Sequence, residues 1–348
     1  MTETKSRRLL LIGSTQSDVH LRNYHGLIEG FFDEIIIVSG NKVDFCESKQ
    51  LNFGLRNPLT IRKTIRELRS IINEFEPDVI HVHQANVFGY ITSLANKGRV
   101  PQITTIWGSD VLLLPQKSVF HKYLVKKALK SSQQITADAS FIKGKVNTLI
   151  GEHNFTTANF GIDLPNIEVD ISKKEKVIYS NRLHDTLYNI DQVIEAFKLF
   201  REKYPGWKLV LAGVGPKTEE LKALAQDLPK GSYEFIGFVD SETNFHHYQN
   251  SSIFVSIPSS DGTSISLLEA MAFGTIPVLS DLPANKEWIT NGENGTIVQT
   301  EVDKALMQAA ELSIDKVYDL NTKIIQEKAT KEANRAKFIA IYTQLLKK

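Results

Sequence analysis

Two carboxylates, Asp261 and Glu269, stand with seven residues between them in the segment Pro258-Ser-Ser-Asp-Gly-Thr-Ser-Ile-Ser-Leu-Leu-Glu-Ala-Met-Ala-Phe-Gly-Thr-Ile-Pro-Val278. An apolar run, Ile253 to Ile257, leads into a loop of small polar residues. A helix is predicted to open near Thr263 or Ser264 and to stop at Gly274, before a second buried strand over Ile276 to Leu279. The first N–H groups of a helix have no intrahelical partner, and small residues around them let an anion approach. Phosphate at the helix start and hydroxyls at the flanking carboxylates describe a site for a nucleotide sugar. The bland alternative is a capped turn followed by a solvated glutamate.

Further candidates sit at the ends of other apolar runs. Arg182 follows Tyr179-Ser-Asn, where a guanidinium can pair bidentately with phosphate oxygens. Gly213-Val-Gly215 follows the run Lys208–Ala212 and permits close backbone approach, though as a glycine motif alone it is weak. Ile236-Gly-Phe238 ends the next run. In the first half, Gly13-Ser-Thr-Gln16 closes the first run, and His20 opens the helical stretch after it. His81 and His83 alternate on one strand and so share a face. No Cys or close carboxylate completes a metal site around them. His83, at the carboxyl end, is the better functional candidate, and His81 reads as a core or helix-packing residue. Ile106-Trp-Gly-Ser-Asp110 offers Trp107 to pack on a sugar face or in the core, and Asp110 to bind hydroxyls.

These positions require strands and helices in alternation. Candidate strands are Leu9–Gly13, Glu34–Ser39, Val79–Val82, Gln102–Ile106, Gln134–Ala137 and Thr157–Phe160, then Lys176–Ser180, Lys208–Ala212, Tyr233–Phe238, Ile253–Ile257, Ile276–Leu279 and Gly295–Val298. Helical periodicity fills the intervals, including Thr60–Phe75, Ser118–Lys130, Ile190–Tyr204 and Pro283–Thr290. This is the pattern of doubly wound α/β domains. The stretch Leu164–Lys174 reads as a linker. The expected division is 1–166 and 167–328, with a terminal helix over 329–348 packing back on the first domain through Ala333, Ala336, Phe338, Ile339, Tyr342, Leu345 and Leu346. Open sheets of this kind bind ligands at the carboxyl ends of their strands, so the site is expected in a cleft between the two domains.

Composition narrows the class. The 348 residues carry a net charge of +1, with 20 Lys+Arg against 15 Asp+Glu in residues 1–165 and 21 against 25 in the rest. That mild asymmetry does not point to nucleic acid. The single cysteine, Cys46, excludes an intramolecular disulfide framework. No signal-peptide pattern and no membrane-length apolar run is present, so the expected place of action is the cytoplasm, with the inner face of the membrane as a second setting. Two basic stretches beside apolar residues, Thr60–Arg69 and Phe120–Lys130, have the composition of surfaces that dock on anionic lipid, or of ordinary solvated helix faces.

The layout resembles the GT-B glycosyltransferases, in particular the retaining enzymes of glycosyltransferase family 4. The resemblance covers nearly the whole chain and is carried by Asn159-Phe-Gly-Ile-Asp163, Tyr179-Ser-Asn-Arg-Leu183, Leu211-Ala-Gly-Val-Gly-Pro216 and the Asp261–Glu269 segment. The family's spacing is Glu-x7-Glu; here the first acid is Asp261, one methylene shorter. The resemblance implies that Asp261 holds sugar hydroxyls and Glu269 the ribose. The backbone around Gly262, Thr263, Ser264, Ile265 and Ser266 takes the diphosphate, and Arg182 stabilises the charge that develops on it. Glu269 lies five residues past Ser264, about 7.5 Å along a helix at roughly 1.5 Å per residue, a reach that suits a ribose. It further implies that the loop at Gly13 closes over donor and acceptor, and that backbone at Gly213, Gly215 and Phe238 meets the base. His20, His83, Trp107 and Asp110 would contact acceptor or sugar. Many members carry His where Trp107 stands. A family lysine is replaced within Leu187-Tyr-Asn-Ile-Asp191, leaving Tyr188 or Lys217 to compensate. The expected protein is therefore a metal-independent, retaining transferase without a bound cofactor. It moves a sugar from a nucleoside diphosphate to a glycan or lipid-linked acceptor in cell-surface polysaccharide or lipopolysaccharide assembly. Alternatives are a nucleotide-sugar epimerase of related fold and an inactive nucleotide-sugar binding module.

Overall fold

The computed structural model describes residues 6–13, 19–162 and 169–347. Contacts divide the chain into two compact units, one of residues 1–160 with 331–348 and one of residues 161–330. Each unit is built on a single sheet whose strands are all parallel. In the first unit the strands are β1 (Arg8–Gly13), β2 (Glu34–Ser39), β3 (Ser48–Gln50), β4 (Val79–His83), β5 (Gln102–Ile106), β6 (Gln134–Ala137) and β7 (Phe155–Thr157), in the order β3-β2-β1-β4-β5-β6-β7. In the second they are β8 (Glu175–Ser180), β9 (Lys208–Ala212), β10 (Tyr233–Gly237), β11 (Ser251–Ser256), β12 (Ile276–Ser280) and β13 (Thr296–Val298), in the order β10-β9-β8-β11-β12-β13. Both orders reverse direction beside the unit's first strand, the switch point at which doubly wound sheets open a crevice.

Burial explains why β1 is a continuous apolar run rather than an alternating one. Leu9, Leu10, Leu11 and Ile12 are all fully buried, because helices cover both faces of a parallel sheet. The covering helices are amphipathic. Pro58–Phe75 starts with Asn57, whose side chain accepts the Leu59 N–H at 2.9 Å, and buries Thr64, Leu68 and Ile72 at four-residue intervals. Each fully buried Leu or Ile contributes about 1.5–3 kcal/mol of transfer free energy.

Several elements depart from expectation. β3 is a polar edge strand, Ser-Lys-Gln, with no apolar pattern to announce it. β7 lies two residues earlier than the predicted strand: Ala158 still donates to Ala137 O, but the Asn159 N–H turns away to Asn334 Oδ1 at 3.0 Å. The helix predicted over Pro283–Thr290 is only a short turn at Asn285–Glu287. There the Asn285 amide bonds Ser280 O, and Asn294 Oδ1 accepts from Thr290 N, local bonds that compete with a helix. Two helices precede the tail, Val302–Glu311 and Ile314–Lys328, and the tail helix runs Lys331–Leu346. Its buried face is Asn334, Phe338, Ile341, Tyr342 and Leu345, so Ala336 and Ile339 lie off it. Of the predicted linker, residues 164–168 lie outside the described residues.

Candidate donor site and the histidine cluster

Arg182 follows β8 and points its guanidinium at the loop before the helix Ile265–Ala272. Nη2 donates to Asp261 Oδ2 at 2.7 Å, and Nη1 donates to Ser264 Oγ at 2.7 Å. The Tyr188 ring lies 4.6 Å from the guanidinium carbon. A cation over an aromatic face is worth about 0.5–2 kcal/mol. Ser264 is the residue before the helix, yet its side chain makes no capping bond; it holds Arg182. Arg182 Nε is buried with no partner among the described residues.

The loop between β11 and this helix is pinned on both sides. Asn189, in the left-handed region at φ 53°, donates to Ile257 O at 2.8 Å and Ser259 Oγ at 3.0 Å. On the far side Trp288 Nε1 donates to Thr263 Oγ1 at 3.1 Å. Gly262 N donates to Asp261 Oδ1 at 3.0 Å. Burial raises the Asp261 pKa, and the Arg182 guanidinium and the Gly262 N–H oppose that rise. Asp261 and Arg182, read separately from the sequence, are thus one unit.

Glu269 is held in a different environment. Asn244 Nδ2 approaches Glu269 Oε2 at 3.4 Å. Asn244 Oδ1 accepts from Tyr179 Oη at 2.7 Å and from Asn181 Nδ2 at 3.0 Å, and Asn181 also donates to Tyr248 Oη at 2.8 Å. Burial lifts the Glu269 pKa to about 7, with the Tyr248 hydroxyl pulling it down. Sequence reasoning missed this set of two tyrosines and two asparagines. Tyr179 and Asn181 lie at the end of β8, but Asn244 and Tyr248 lie within the polar helix Ser241–Asn250, where nothing sets them apart.

The glycines have a defined task. Gly213 has φ +106°, and a Cβ there would lie 2.5 Å from Arg182 O; one at Gly215 would lie 2.3 Å from His184 O. The turn after β9 therefore packs directly on the backbone that carries Arg182. Lys217 N donates to His184 O at 3.0 Å, and the Lys217 ammonium pairs with Glu220 at 3.5 Å. Phe238, just past β10, is 78% exposed. Ile265 is exposed and Ser266 half-buried at the helix start.

The first-half candidates form a buried ring cluster at the carboxyl end of β4. His83 is fully buried. It stacks on Phe160 at 5.6 Å and meets Tyr24 edge-on at 4.7 Å and Trp107 at 6.0 Å. Burial, with a smaller effect from His20, drives its pKa to about 3, so the imidazole is neutral. Neither ring nitrogen has a partner among the described residues. His20 is partly open to solvent, but its ring packs 4.5 Å from Trp107, and burial lowers its pKa. Gly13 packs closely here: a Cβ would meet Leu21 Cδ2 at 2.7 Å and His83 Cβ at 3.2 Å. The loop residues Ser14, Thr15 and Gln16 lie outside the described residues. His81 is structural: its ring nitrogens bond Tyr342 Oη and Thr105 Oγ1, each at 2.6 Å, and Tyr342 Oη also bonds Tyr24 Oη at 2.7 Å. Asp110, expected to bind hydroxyls, has another task. It is 3% exposed, and its two oxygens accept from Ala85 N at 2.6 Å and Trp107 N at 3.1 Å, tying the loops after β4 and β5 together. Burial lifts its pKa to about 6 against those backbone bonds. Among the described residues, no group of three or more His, Cys, Asp or Glu side chains could hold a metal ion. Among the described residues, no helix is long and apolar enough to cross a membrane.

Comparison with known proteins agrees with this arrangement. The family profile described as "Glycosyl transferases group 1" matches residues 164–333, and "Glycosyl transferase 4-like" matches residues 8–139. An uncharacterized glycosyltransferase of Haemophilus influenzae is 23% identical over 300 residues, 82% of each chain. A phosphatidyl-myo-inositol mannosyltransferase of Mycolicibacterium smegmatis is 26% identical over 256 residues, 72% of this chain and 64% of the relative. Among solved structures, Anabaena HepE in complex with UDP superposes with a TM-score of 0.80 at 11% identity, over 97% of this chain and all of that one. With two parallel-sheet units, a profile matching each, and full-length likeness in fold, the chain belongs to the GT-B glycosyltransferases of the group 1, family 4-like type.

Proposed function

We propose that this glycosyltransferase moves a sugar, with retention of anomeric configuration and without a metal ion, from a nucleoside-diphosphate sugar to a glycan or lipid-linked acceptor. The observation that carries the reading is the Arg182 guanidinium fixed to Asp261 and Ser264 at the start of the helix Ile265–Ala272. Leaving-group departure places negative charge on the diphosphate. A guanidinium and free helix-start N–H groups stabilise such charge without a cation. Two of the five guanidinium N–H groups are engaged, so others remain for phosphate oxygens. Asp261 takes sugar hydroxyls, Glu269 the ribose, and the backbone at Gly213 and Phe238 the base. The two carboxylates are assigned to hydroxyls, and no residue is given the part of a covalent nucleophile. The reading is a front-face reaction: the bond from anomeric carbon to phosphate oxygen breaks, the acceptor oxygen bonds to that carbon on the same face, and the acceptor proton passes to the leaving phosphate.

The setting proposed is the assembly of cell-surface polysaccharide or lipopolysaccharide at the cytoplasmic face of the membrane. The likeness to a phosphatidyl-inositol mannosyltransferase favours it. So does the helix Val119–Lys130, which leaves Val119 86%, Phe120 49% and Tyr123 55% exposed beside Lys122 and Lys126, a composition suited to anionic lipid. Co-sedimentation with anionic but not zwitterionic vesicles checks that contact.

The test of the reaction is release of nucleotide from a panel of nucleotide sugars, with and without chelator. Arg182→Ala should lower turnover about 100–1,000-fold, more than it raises donor KM. Unchanged turnover removes Arg182 from the mechanism, and loss of activity in EDTA restored by magnesium removes metal independence. Net epimerisation without transfer would assign the chain to the isomerases.

A further inference from the structure

The first unit carries a groove that none of the candidate donor or acceptor residues above lines, although Thr60, Lys63, Thr64 and Glu67 of the basic stretch Thr60–Arg69 do. It has a volume of about 1100 Å³ and lies at the carboxyl ends of β2, β3 and β4, beside the helix Pro58–Phe75. Its polar lining is dominated by side-chain amides: Asn41, Gln50, Asn52, Gln84 and Asn86. Its floor is apolar, with Leu51, Phe53 and Phe88 buried, the two phenyl rings edge to face at 4.6 Å. The charged side chains in the lining, Lys63 and Glu67, pair with each other at 3.7 Å. The groove therefore presents no net charge.

One residue in it is held against its backbone preference. Gln84, directly after β4, has φ 78°, a region that residues other than glycine rarely adopt. The surroundings impose it: Gln84 N donates to Thr105 O at 2.8 Å, and Asn86 Nδ2 donates to Gln84 Oε1 at 2.7 Å. Such strain costs on the order of 1–3 kcal/mol and persists where the fold fixes a side chain for use. Here Gln84 lines the groove at the strand end at which α/β sheets take ligands, its Oε1 held by Asn86.

We propose that this groove binds a neutral glycan, the part of the acceptor away from the reacting hydroxyl. This rests on the reading of the chain as a transferase to a glycan-bearing acceptor. A sugar hydroxyl both donates and accepts. Gln50 Nε2 already donates to Gly40 O, Asn52 Oδ1 accepts from Gly54 N, and Asn86 bonds Gln84 Oε1 and Phe88 N, so Gln84 Nε2, Gln50 Oε1 and Asn52 Nδ2 remain as the mixed donors and acceptors for hydroxyls. A phosphate or carboxylate ligand would need surplus cations, and the groove has none. Its volume exceeds the roughly 300–1,000 Å³ that drug-sized ligands occupy, so it accommodates more than one sugar residue.

The experiment uses the full chain on an array of short neutral oligosaccharides and their phosphorylated and carboxylated counterparts, with calorimetry on the best neutral binder. The wild type should retain neutral glycans in preference to anionic ones. Gln50→Leu and Gln84→Gly should each weaken that binding by about tenfold. Gln84→Gly keeps the backbone without strain and so is not at risk of unfolding. Affinity for a nucleoside diphosphate, measured in parallel, should stay as in the wild type. Preference for anionic glycans, no binding to any glycan, or undiminished binding in both variants would each overturn the proposal. Loss of nucleoside-diphosphate binding by the wild-type chain would instead strike the transferase reading itself, and the two failures are distinguishable.

Discussion

Replacing Glu269 by Gln tests the donor site through a proton. The glutamate sits among Tyr179, Asn181, Asn244 and Tyr248 with no cation among these neighbours, and burial raises its pKa from 4.5 to about 7. The sign follows. Below pH 4.5 both folded and unfolded chains are protonated and no penalty arises. Between pH 4.5 and 7 the unfolded chain releases its proton while the folded chain keeps it, so stability falls. Above pH 7 both are ionised and the full penalty stands. A rise from 4.5 to about 7 corresponds to about 3 kcal/mol, an upper value because the carboxylate is only partly buried and water screens it. A penalty of about 1–3 kcal/mol remains.

Glu269→Gln keeps an oxygen for Asn244 and removes the charge. The variant should therefore match the wild type near pH 4.5 and exceed it by about 1–3 kcal/mol at pH 8. For a unit of residues 161–330 that is a gain of several degrees in melting temperature, at roughly 2–4 °C per kcal/mol. Asp110, whose pKa also rises, is common to both proteins and cancels in the difference. Scanning calorimetry of both chains across this range decides the matter: curves that stay parallel from pH 5 to 8 refute the buried carboxyl. Binding gives a second reading. If ribose hydroxyls donate to the ionised carboxylate, nucleotide binding at pH 7 should release about half a proton. Calorimetry in buffers of different ionisation enthalpy measures it, and Glu269→Gln should remove that fraction while lowering affinity.

Two further outcomes concern the frame around the sites. Gly215→Ala places a Cβ 2.3 Å from His184 O, so it should lower stability by about 1–3 kcal/mol and nucleotide affinity with it; an unchanged melting temperature would contradict the close packing of that turn. Tyr342→Phe removes the hydroxyl shared by His81 and Tyr24 and leaves a buried nitrogen unpaired. Denaturant titration should show a loss of about 1–3 kcal/mol, and a neutral result would mean that His81 finds another partner.

What was legible in the sequence follows the physics of each element. Strands covered on both faces favour apolar runs, so β1 and the Ile253–Val255 stretch of β11 announce themselves, as does the amphipathic helix Pro58–Phe75. β3 does not, because an edge strand of three polar residues is defined only by pairing with β2. The register of β7 escapes for a related reason. The ladder ends where Asn159 bonds Asn334, a residue 175 positions further along the chain.

The same distinction separates what the sequence says of the site from what it withholds. The helix start, the acids around it and the two glycines are local signals, each within one short segment. The partners are not local. Arg182 meets Asp261 across 79 positions, and Asn244 meets Glu269 across 25. Those partners change the chemistry assigned to each acid. With a guanidinium at 2.7 Å, Asp261 has a local counter-charge and stays nearer its ordinary range than burial alone would allow. Glu269, among neutral donors, titrates near neutrality. Two acids that look equivalent in the sequence thus sit in different electrostatic settings, one beside a guanidinium and one among neutral donors, which suits the proposed division of sugar hydroxyls to Asp261 and ribose to Glu269.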